Sequence, residues 1–194
     1  MKKFKCAHCG LNACYEGKDC AGNAYEIKEI IQKEENYKIM KAAAFIEGTY
    51  YMQKTRLEEI IEFCKIMGYK HLGLAFCIGM AEEARLLADI LEKRFEVTSV
   101  CCKVCGISKD ELGLKKIRED RYEATCNPVA QAQIMNKADV DLNIIAGLCI
   151  GHDIVFTKNC NAPVTTLIVK DRVMAHNPAG AIYSGYHRKR ITSQ

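Results

Sequence analysis

The chain has 194 residues, a formal net charge of +4 and 49% hydrophobic residues, which suits one domain, or one domain with a small appendage. The basic start runs into Cys6 without an apolar stretch, and no apolar run approaches the ~20 residues that span a bilayer. These features predict a soluble, cytoplasmic protein without a signal peptide or a membrane partner. The basic cluster His187–Arg190 is too short for a nucleic-acid footprint, so it is interpreted as a solvated tail.

Twelve cysteines set the composition apart. The chain is too long and too rich in lysine for a small secreted disulfide scaffold. In a reducing compartment, this number of cysteines indicates metal ligands or catalytic thiols. Cys64 is interpreted differently, because its helical spacing from neighbouring apolar residues is typical of a small core side chain.

Residues 1–24 are predicted to form a cysteine-rich loop of their own. Four thiols fall within this short, glycine-containing segment, with the spacing Cys6-x2-Cys9-x4-Cys14-x5-Cys20. Four soft ligands on one flexible loop can wrap a tetrahedral ion or a small cluster. The loop has one Cys-x2-Cys knuckle where a zinc ribbon has two, so zinc and an iron–sulfur cluster both remain open.

Residues 25–194 are predicted to form an α/β domain, with a helical lead-in over residues 25–68. The first helix is expected at Tyr25–Gln32, and a second follows Asn36, a candidate N-cap. The sequence from Thr55 to Glu58 is a capping-box pattern that begins a third helix, and Gly68 ends that helix. This lead-in carries no pattern of catalytic or metal-binding residues.

A strand–helix–strand unit is predicted over residues 69–107. The strands are expected at His71–Phe76 and Phe95–Cys101, and an amphipathic helix at Met80–Arg94 joins them.

Cysteines follow both of these strands. Cys77 comes directly after the first strand, and Cys101 and Cys102 end the second. Because adjacent strand residues point to opposite faces, one of Cys101 and Cys102 is expected to share a site with Cys77. Cys102-x2-Cys105 also resembles a thioredoxin-like redox motif, but such motifs open a helix directly and no helix is predicted there. The redox-motif interpretation is therefore not favoured.

The next segment leads to a second kind of thiol position. Lys109–Glu123 is polar and is expected on the surface, and Asn127 and Pro128 begin a helix that is predicted at Pro128–Lys137. Cys126 therefore lies just before a helix N-terminus, where backbone N–H groups favour a thiolate. A cysteine that only packs beside the helix cap is an equally good interpretation.

Two further strands are predicted, at residues 142–150 and at Val164–Val169. The first of these is almost wholly apolar, as expected for a strand buried on both faces. It ends in Cys149, Gly151 and His152, and repeats the Cys-Ile-Gly sequence that follows the strand at residues 71–76.

Strands linked by helices in this way predict an α/β fold with a parallel, Rossmann-like open sheet and flanking helices. Ligands of such sheets bind beyond the carboxyl ends of the strands. The thiols expected to meet there and hold a metal are Cys77, Cys101 or Cys102, Cys126 and Cys149. Gly79 and Gly151 are expected to let backbone N–H groups approach the bound cofactor.

The same residues support a competing hypothesis of covalent catalysis. A helix that begins near Ile150 would bring Cys149 and His152 onto one face. A thiolate–imidazolium pair can drive acyl or sulfur transfer. No acidic residue is clearly placed to orient His152, although Asp153 is adjacent.

Taken together, these motifs resemble a family of prokaryotic proteins of unknown function, the domain-of-unknown-function family DUF1847. The segments that carry the resemblance are Cys6–Cys14, Leu74–Gly79, Cys101–Lys103, Cys126–Ala132, Leu142–Asp153, Ala162–Leu167 and Asp171–Pro178. The resemblance implies metal binding and brings no activity with it. It assigns to the family pattern Cys6, Cys9, Cys14, Cys77, Cys101, Cys126, Cys149 and His152. Cys105 and Cys160 do not clearly belong.

The sequence thus favours a metal-binding protein with two thiolate sites. The loop is expected to bind zinc or an iron–sulfur cluster, and the strand-end site an iron–sulfur cluster for electron transfer or redox sensing. The partner would be an unidentified redox protein or small molecule. One alternative is a transferase or hydrolase that uses Cys149 and His152 and carries zinc in the loop. Another is a non-catalytic module whose zinc loop contacts a partner.

Overall fold

The computed structural model describes residues 4–193. The chain divides into two compact units, one that extends to Tyr51 and one that begins at Met52. Each unit has its own secondary structure and is described separately. Within residues 4–193, no helix has both the length and the apolar character needed to cross a membrane.

The first unit contains the cysteine-rich loop and two helices. The loop has short 3-10 turns at Cys6–His8 and Ala13–Glu16, and the helices are α1 (Ala24–Ile31) and α2 (Glu34–Tyr50). Helix α2 begins earlier than the predicted cap at Asn36. The Asn36 side chain instead donates from Nδ2 to the backbone oxygen of Ile30, 3.1 Å away, at the end of α1.

The second unit is an α/β structure with helices α3–α8 and strands β1–β4. In chain order these are α3 (Arg56–Met67), β1 (His71–Phe76), α4 (Ala81–Leu91), β2 (Glu96–Cys101), α5 (Pro128–Lys137), β3 (Leu142–Ala146), α6 (His152–Asn159), β4 (Val164–Ile168), α7 (Ala179–Tyr183) and α8 (Gly185–Thr192). Helix α3 begins with the predicted capping box, in which the side chains and backbone N–H groups of Thr55 and Glu58 bond reciprocally.

The four strands form one sheet, in which every pairing is parallel and the order is β2-β1-β3-β4. This confirms the predicted α/β class with a parallel open sheet. The chain leaves β1 for β2 at one edge and then returns to β3 on the other side of β1. In such sheets, the point between β1 and β3 is a topological switch, and a crevice opens there beyond the carboxyl ends of the strands.

Helices pack on both faces of the sheet. On one face, Leu72 and Leu74 of β1 contact a buried cluster that contains Cys64 of α3 and Leu91 of α4. On the other face, Ala75 belongs to a second cluster with side chains of α5 and α6. Alternate strand residues therefore enter opposite cores, as expected for a strand buried on both faces. Cys64 is fully buried in the first core, as predicted.

Candidate functional site

The carboxyl ends of three strands are level with one another. In the strand register, Phe76 of β1 pairs with Cys101 of β2 and with Ala146 of β3. A thiol follows each of these ends: Cys77 comes one residue after β1, Cys102 one residue after β2 and Cys149 three residues after β3.

A fourth thiol reaches the same edge from a helix start. Cys126 directly precedes Asn127, whose side-chain oxygen accepts the backbone N–H of Ala130 at 2.9 Å as the N-cap of α5. The backbone N–H of Asn127 donates to the carbonyl of Cys102, 2.7 Å away. The helix cap therefore fixes Cys126 next to the end of β2.

The four sulfurs form a chain of contacts. The Cys102 thiol is hydrogen-bonded to Cys126 on one side and to Cys77 on the other, and Cys77 is also hydrogen-bonded to Cys149. The contacts run in the order Cys126–Cys102–Cys77–Cys149. Cys77 and Cys102 are buried, whereas Cys126 and Cys149 are half-buried. One end of this thiol chain therefore lies at the surface with Cys149.

Hydrogen bonds among the thiols shift their pKa values in opposite directions. The hydrogen bond from Cys102 lowers the pKa of Cys77 to about 5 and that of Cys126 to about 5, in spite of their burial. The same two hydrogen bonds, together with burial, raise the pKa of Cys102. The arrangement therefore favours thiolates at Cys77 and Cys126 and a protonated thiol at Cys102.

Backbone N–H groups also point at the sulfurs. The N–H of Ile78 donates to Cys102 Sγ at 3.3 Å, and the N–H of Gly79 donates to Cys77 and lowers its pKa further. Gly79 is one of the two glycines expected to present N–H groups to a bound species. The other, Gly151, is the N-cap of α6 with a φ of 86°, and the space around its missing Cβ is open.

A buried glutamine ties the strand ends together. Gln131 of α5 is fully buried, and its Nε2 donates to the carbonyl of Val100 at 2.7 Å and to that of Phe76 at 3.2 Å. The N–H of Cys102 also donates to the Phe76 carbonyl, at 2.8 Å. These bonds hold Cys77 and Cys102 side by side through their backbones. Sequence reasoning did not identify Gln131, because its partners are backbone groups of other strands.

Three cations surround the thiols. Arg172 donates from Nη2 to Cys149 Sγ at 2.9 Å, Lys103 bonds to Cys126 and favours its thiolate, and Lys170 favours the thiolate of Cys77. Within residues 4–193, none of the three forms an ion pair with a carboxylate. Sequence reasoning assigned no role to these three residues. For Lys170 and Arg172, the one feature that could have indicated a role in the site was their position directly after a predicted strand.

Lys170 passes close to two glycines. A Cβ on Gly147 would lie 3.6 Å from Lys170 Cδ and 2.7 Å from Met80 Cγ, and a Cβ on Gly79 would lie 3.3 Å from Lys170 Nζ. The Lys170 stem therefore runs over Gly147, and its ammonium group lies beside Gly79. Gly79 leaves room for the lysine ammonium group, and Gly147 leaves room for Met80.

The loop that carries Lys170 and Arg172 is held by its own hydrogen bonds. Asp171 accepts the N–H groups of Val173 and Met174 through Oδ1, both at 2.9 Å. Its own N–H donates to Nδ1 of His176 at 3.2 Å. We call residues 169–176 the strap. The hydrogen bonds within the strap involve Asp171, whereas Lys170 and Arg172 are the charged side chains of the strap that interact with the thiols.

Other predicted site residues lie beside the thiol chain. Cys101 is half-buried, and its Sγ accepts the N–H of Lys103 at 3.5 Å, so Cys102 is the member of this pair that contacts Cys77. His152 is close enough to Cys126 to favour its thiolate. In the part of the chain that the structure describes, no hydrogen bond joins the Cys149 thiol to the His152 ring.

The N-terminal loop presents its cysteines differently. All four are exposed: Cys6, Cys9, Cys14 and Cys20. Backbone N–H groups of Asn12 and Leu11 donate to Cys9 and lower its pKa. Such N–H groups stabilise the thiolate that binds a metal.

No ready-made metal site is present in the described chain: within residues 4–193, no group of three or more His, Cys, Asp or Glu side chains is arranged to hold an ion. At the strand ends, the thiols are joined to one another by pairwise hydrogen bonds.

Comparisons with known proteins identify relatives of this chain. A family model described as "Protein of unknown function (DUF1847)" matches residues 16–167. The uncharacterised protein MJ0455 of Methanocaldococcus jannaschii is 60% identical over 189 residues, which cover 97% of this chain and 98% of that protein. No solved structure matches the chain.

Proposed function

The chain belongs to the DUF1847 family of proteins of unknown function, and we propose that it is a metal-binding protein with two cysteine-thiolate sites. In this proposal, the strand-end site takes an iron–sulfur cluster with an electron-transfer or redox-sensing role. The N-terminal loop takes zinc or a second cluster. The observation that supports the proposal most strongly is the meeting of four cysteines at the carboxyl ends of the strands, where the Cys102 thiol, which keeps its proton, is hydrogen-bonded to both Cys77 and Cys126.

A metal would replace that proton. Thiolate is the form of cysteine that coordinates metals, and binding releases the protons that the thiols carry. Two sulfurs on one tetrahedral zinc are separated by about 3.7 Å, given a Zn–S bond of about 2.3 Å. This separation is comparable to that of two thiols joined by a hydrogen bond, so small movements would turn the chain of contacts into a ligand set. A larger cluster would need the sulfurs to open further.

The charges around the thiols favour a centre with a net negative charge. Four thiolates exceed the charge of a single divalent ion, and Lys103, Lys170 and Arg172 compensate the surplus. Backbone N–H groups bond to Cys77 and Cys102, and such bonds set the potential of a sulfur-ligated centre. When bound, an iron–sulfur cluster would supply one-electron chemistry, and the residues of this chain would hold it, tune it and shield its inner side from water. This combination of groups favours a redox centre over a purely structural zinc.

Anaerobic purification with metal analysis and absorption spectroscopy tests the proposal. We expect a brown protein with broad visible absorption that also contains metal in the N-terminal loop. C102S should lose the metal of the strand-end site and keep that of the loop, whereas C9S should do the reverse. C105S is the matched control, because Cys105 is exposed and lies three residues from Cys102; its metal content should be unchanged.

Two results would contradict the proposal. If C102S and C105S retain the same metal content as the parent protein, the strand-end thiols do not bind metal. If the parent protein is colourless and contains zinc alone, both sites can still be metal sites, but the redox role is wrong.

A cysteine-dependent transferase or hydrolase is the second candidate. The observation in its favour is the bond from Arg172 to Cys149, since a guanidinium beside a sulfur favours the nucleophilic thiolate. The predicted partner, His152, makes no bond to that sulfur within the described residues. Selective alkylation of Cys149 in a colourless protein with zinc only in its loop would favour this candidate. Uniformly unreactive thiols would instead favour the third hypothesis, a zinc-loop interaction module.

A further inference from the structure

The mouth of the thiol chain carries two basic side chains. Arg172 bonds to Cys149, and Lys170 is close enough to Cys77, the neighbour of Cys149, to favour its thiolate. Within residues 4–193, neither cation forms an ion pair with a carboxylate. The nearest acidic side chains in the sequence bond to backbone groups: Asp171 to two N–H groups of the strap, and Asp153 to the N–H of Ile154. Positive charge at this mouth is therefore not neutralised by protein carboxylates.

The same mouth is open to small molecules. Arg172 is exposed, as are Ile78 and Ile150 on the loops that follow β1 and β3, while Cys149 is half-buried. In the described chain the Arg172 guanidinium makes one hydrogen bond, to Cys149 Sγ. Its remaining N–H groups are therefore available to a ligand.

We propose that this mouth is a binding site for a small oxyanion, such as a carboxylate, which Arg172 and Lys170 hold beside Cys149. A guanidinium presents a planar fork of donors that matches two oxygens of one anion. An ammonium group next to Gly79 adds a second positive charge on the inner side. Cys149 is half-buried and bonds to Arg172, whereas Cys77 and Cys102 are buried.

This oxyanion site rests on the proposed function, since it lies at the same thiol site. If the two cations hold an oxyanion, anionic molecules should approach Cys149 faster than neutral molecules of the same size. This preference is a property of the two cations and does not require a bound metal. It can therefore be tested separately from metal binding.

The test compares iodoacetate, which carries a carboxylate, with its neutral analogue iodoacetamide. Both reagents alkylate a thiolate and release iodide, so their rates share the same dependence on thiolate content. The full-length chain is reduced, treated with a chelator under anaerobic conditions, and sampled by mass spectrometry of the Cys149 peptide. Cys105 of the same chain serves as an internal reference, because it is exposed.

We expect the iodoacetate-to-iodoacetamide rate ratio to be higher at Cys149 than at Cys105. The double variant K170Q/R172Q should lower the Cys149 ratio about tenfold, in the range of electrostatic effects on association rates. The control K93Q/R94Q removes the same charge from exposed residues at the opposite edge of the sheet and should leave the ratio unchanged. High salt should lower the ratio in the parent protein and have little effect on it in the double variant.

Equal losses of both rates in K170Q/R172Q would overturn the inference, because they would show that the cations only stabilise the thiolate. A parent-protein ratio at Cys149 no higher than at Cys105 would also overturn it, without any variant. Metal analysis of the protein before chelator treatment decides the proposed function independently, so failure of one is distinguishable from failure of the other.

Discussion

Replacement of Gly147 by alanine tests how tightly the mouth of the thiol site is packed. Gly147 follows β3 with a φ of 69°, a left-handed conformation that costs an L-residue about 1–2 kcal/mol. Its new Cβ would also lie 2.7 Å from Cγ of the buried Met80. Insertion of a methyl group into a well-packed core costs about 1–3 kcal/mol. We therefore expect G147A to lower the free energy of unfolding by about 2–5 kcal/mol.

Gly68, which ends helix α3, supplies the matched control. Its φ of 75° and ψ of 19° place it in the left-handed region, but nothing lies within 4 Å of its missing Cβ. G68A should therefore cost only the strain, and any gain from a less flexible unfolded chain, about 0.4–1 kcal/mol, applies equally to both variants. The difference between the variants, about 1–3 kcal/mol, isolates the clash with Met80.

Urea denaturation followed by far-ultraviolet circular dichroism measures this difference. The slope of the free energy against urea should be the same in both variants, because the surface exposed on unfolding is unchanged. If G147A is as stable as G68A, Met80 moves aside at no cost and the packing argument is wrong.

Three further substitutions test other parts of the structure. T55A removes the N-cap of α3 and should lower the melting temperature by an amount that corresponds to about 1 kcal/mol, while T55S should retain the cap. Burial raises the pKa of Cys64 to about 12 from an ordinary value of 9.0. The free energy of unfolding should therefore fall by about 1.4 kcal/mol per pH unit as the pH rises above that ordinary value, because the unfolded chain loses the thiol proton first. C64A should lack this part of the fall, and a variant whose stability falls as steeply as that of the parent protein would contradict the raised pKa. Q131L removes the side-chain donor of the Val100 carbonyl, whereas the Phe76 carbonyl keeps the N–H of Cys102; the substitution should cost about 1–3 kcal/mol in urea denaturation.

The sequence predicted the elements whose determinants are local. The capping box at Thr55 lies where expected, helix α5 begins at Pro128 behind its Asn127 cap, and β1 spans the predicted His71–Phe76. Each depends on short-range chemistry: a side-chain cap, a proline at the first helical position or a short apolar run bounded by polar residues. The order of elements then restricts the fold to a parallel open sheet.

The end of β3 shows where a local pattern misleads. The apolar run predicted a strand over residues 142–150, but β3 ends at Ala146, where its pairing with β4 shifts register. Gly147 then turns the chain, and Leu148 remains buried in the turn. The apolar run correctly indicates that these residues are buried. The buried segment, however, extends beyond the last hydrogen bond of the strand, so the run is longer than the strand.

The role of the cations and the presence of helices α7 and α8 could not be predicted from the local sequence. Lys170 and Arg172 matter because the strap places them over thiols from other loops, and no periodicity encodes that placement. Helices α7 and α8 contain no buried residue, so they lack the apolar stripe by which a helix is recognised. The sequence also could not decide which of Cys101 and Cys102 contacts Cys77, because this depends on how the chain turns after β2.

The separation of the thiols along the chain has a consequence for biosynthesis. Cys77 and Cys149 are separated by two complete strand–helix units, so their contact has high contact order and forms only after three strands have paired. The N-terminal cysteines, by contrast, leave the ribosome first and lie close together in sequence. A nascent chain could organise its first cysteine group during translation, whereas the second group assembles only after β1, β2 and β3 have been made. Contact between Cys77 and Cys149 therefore reports that these three strands have paired.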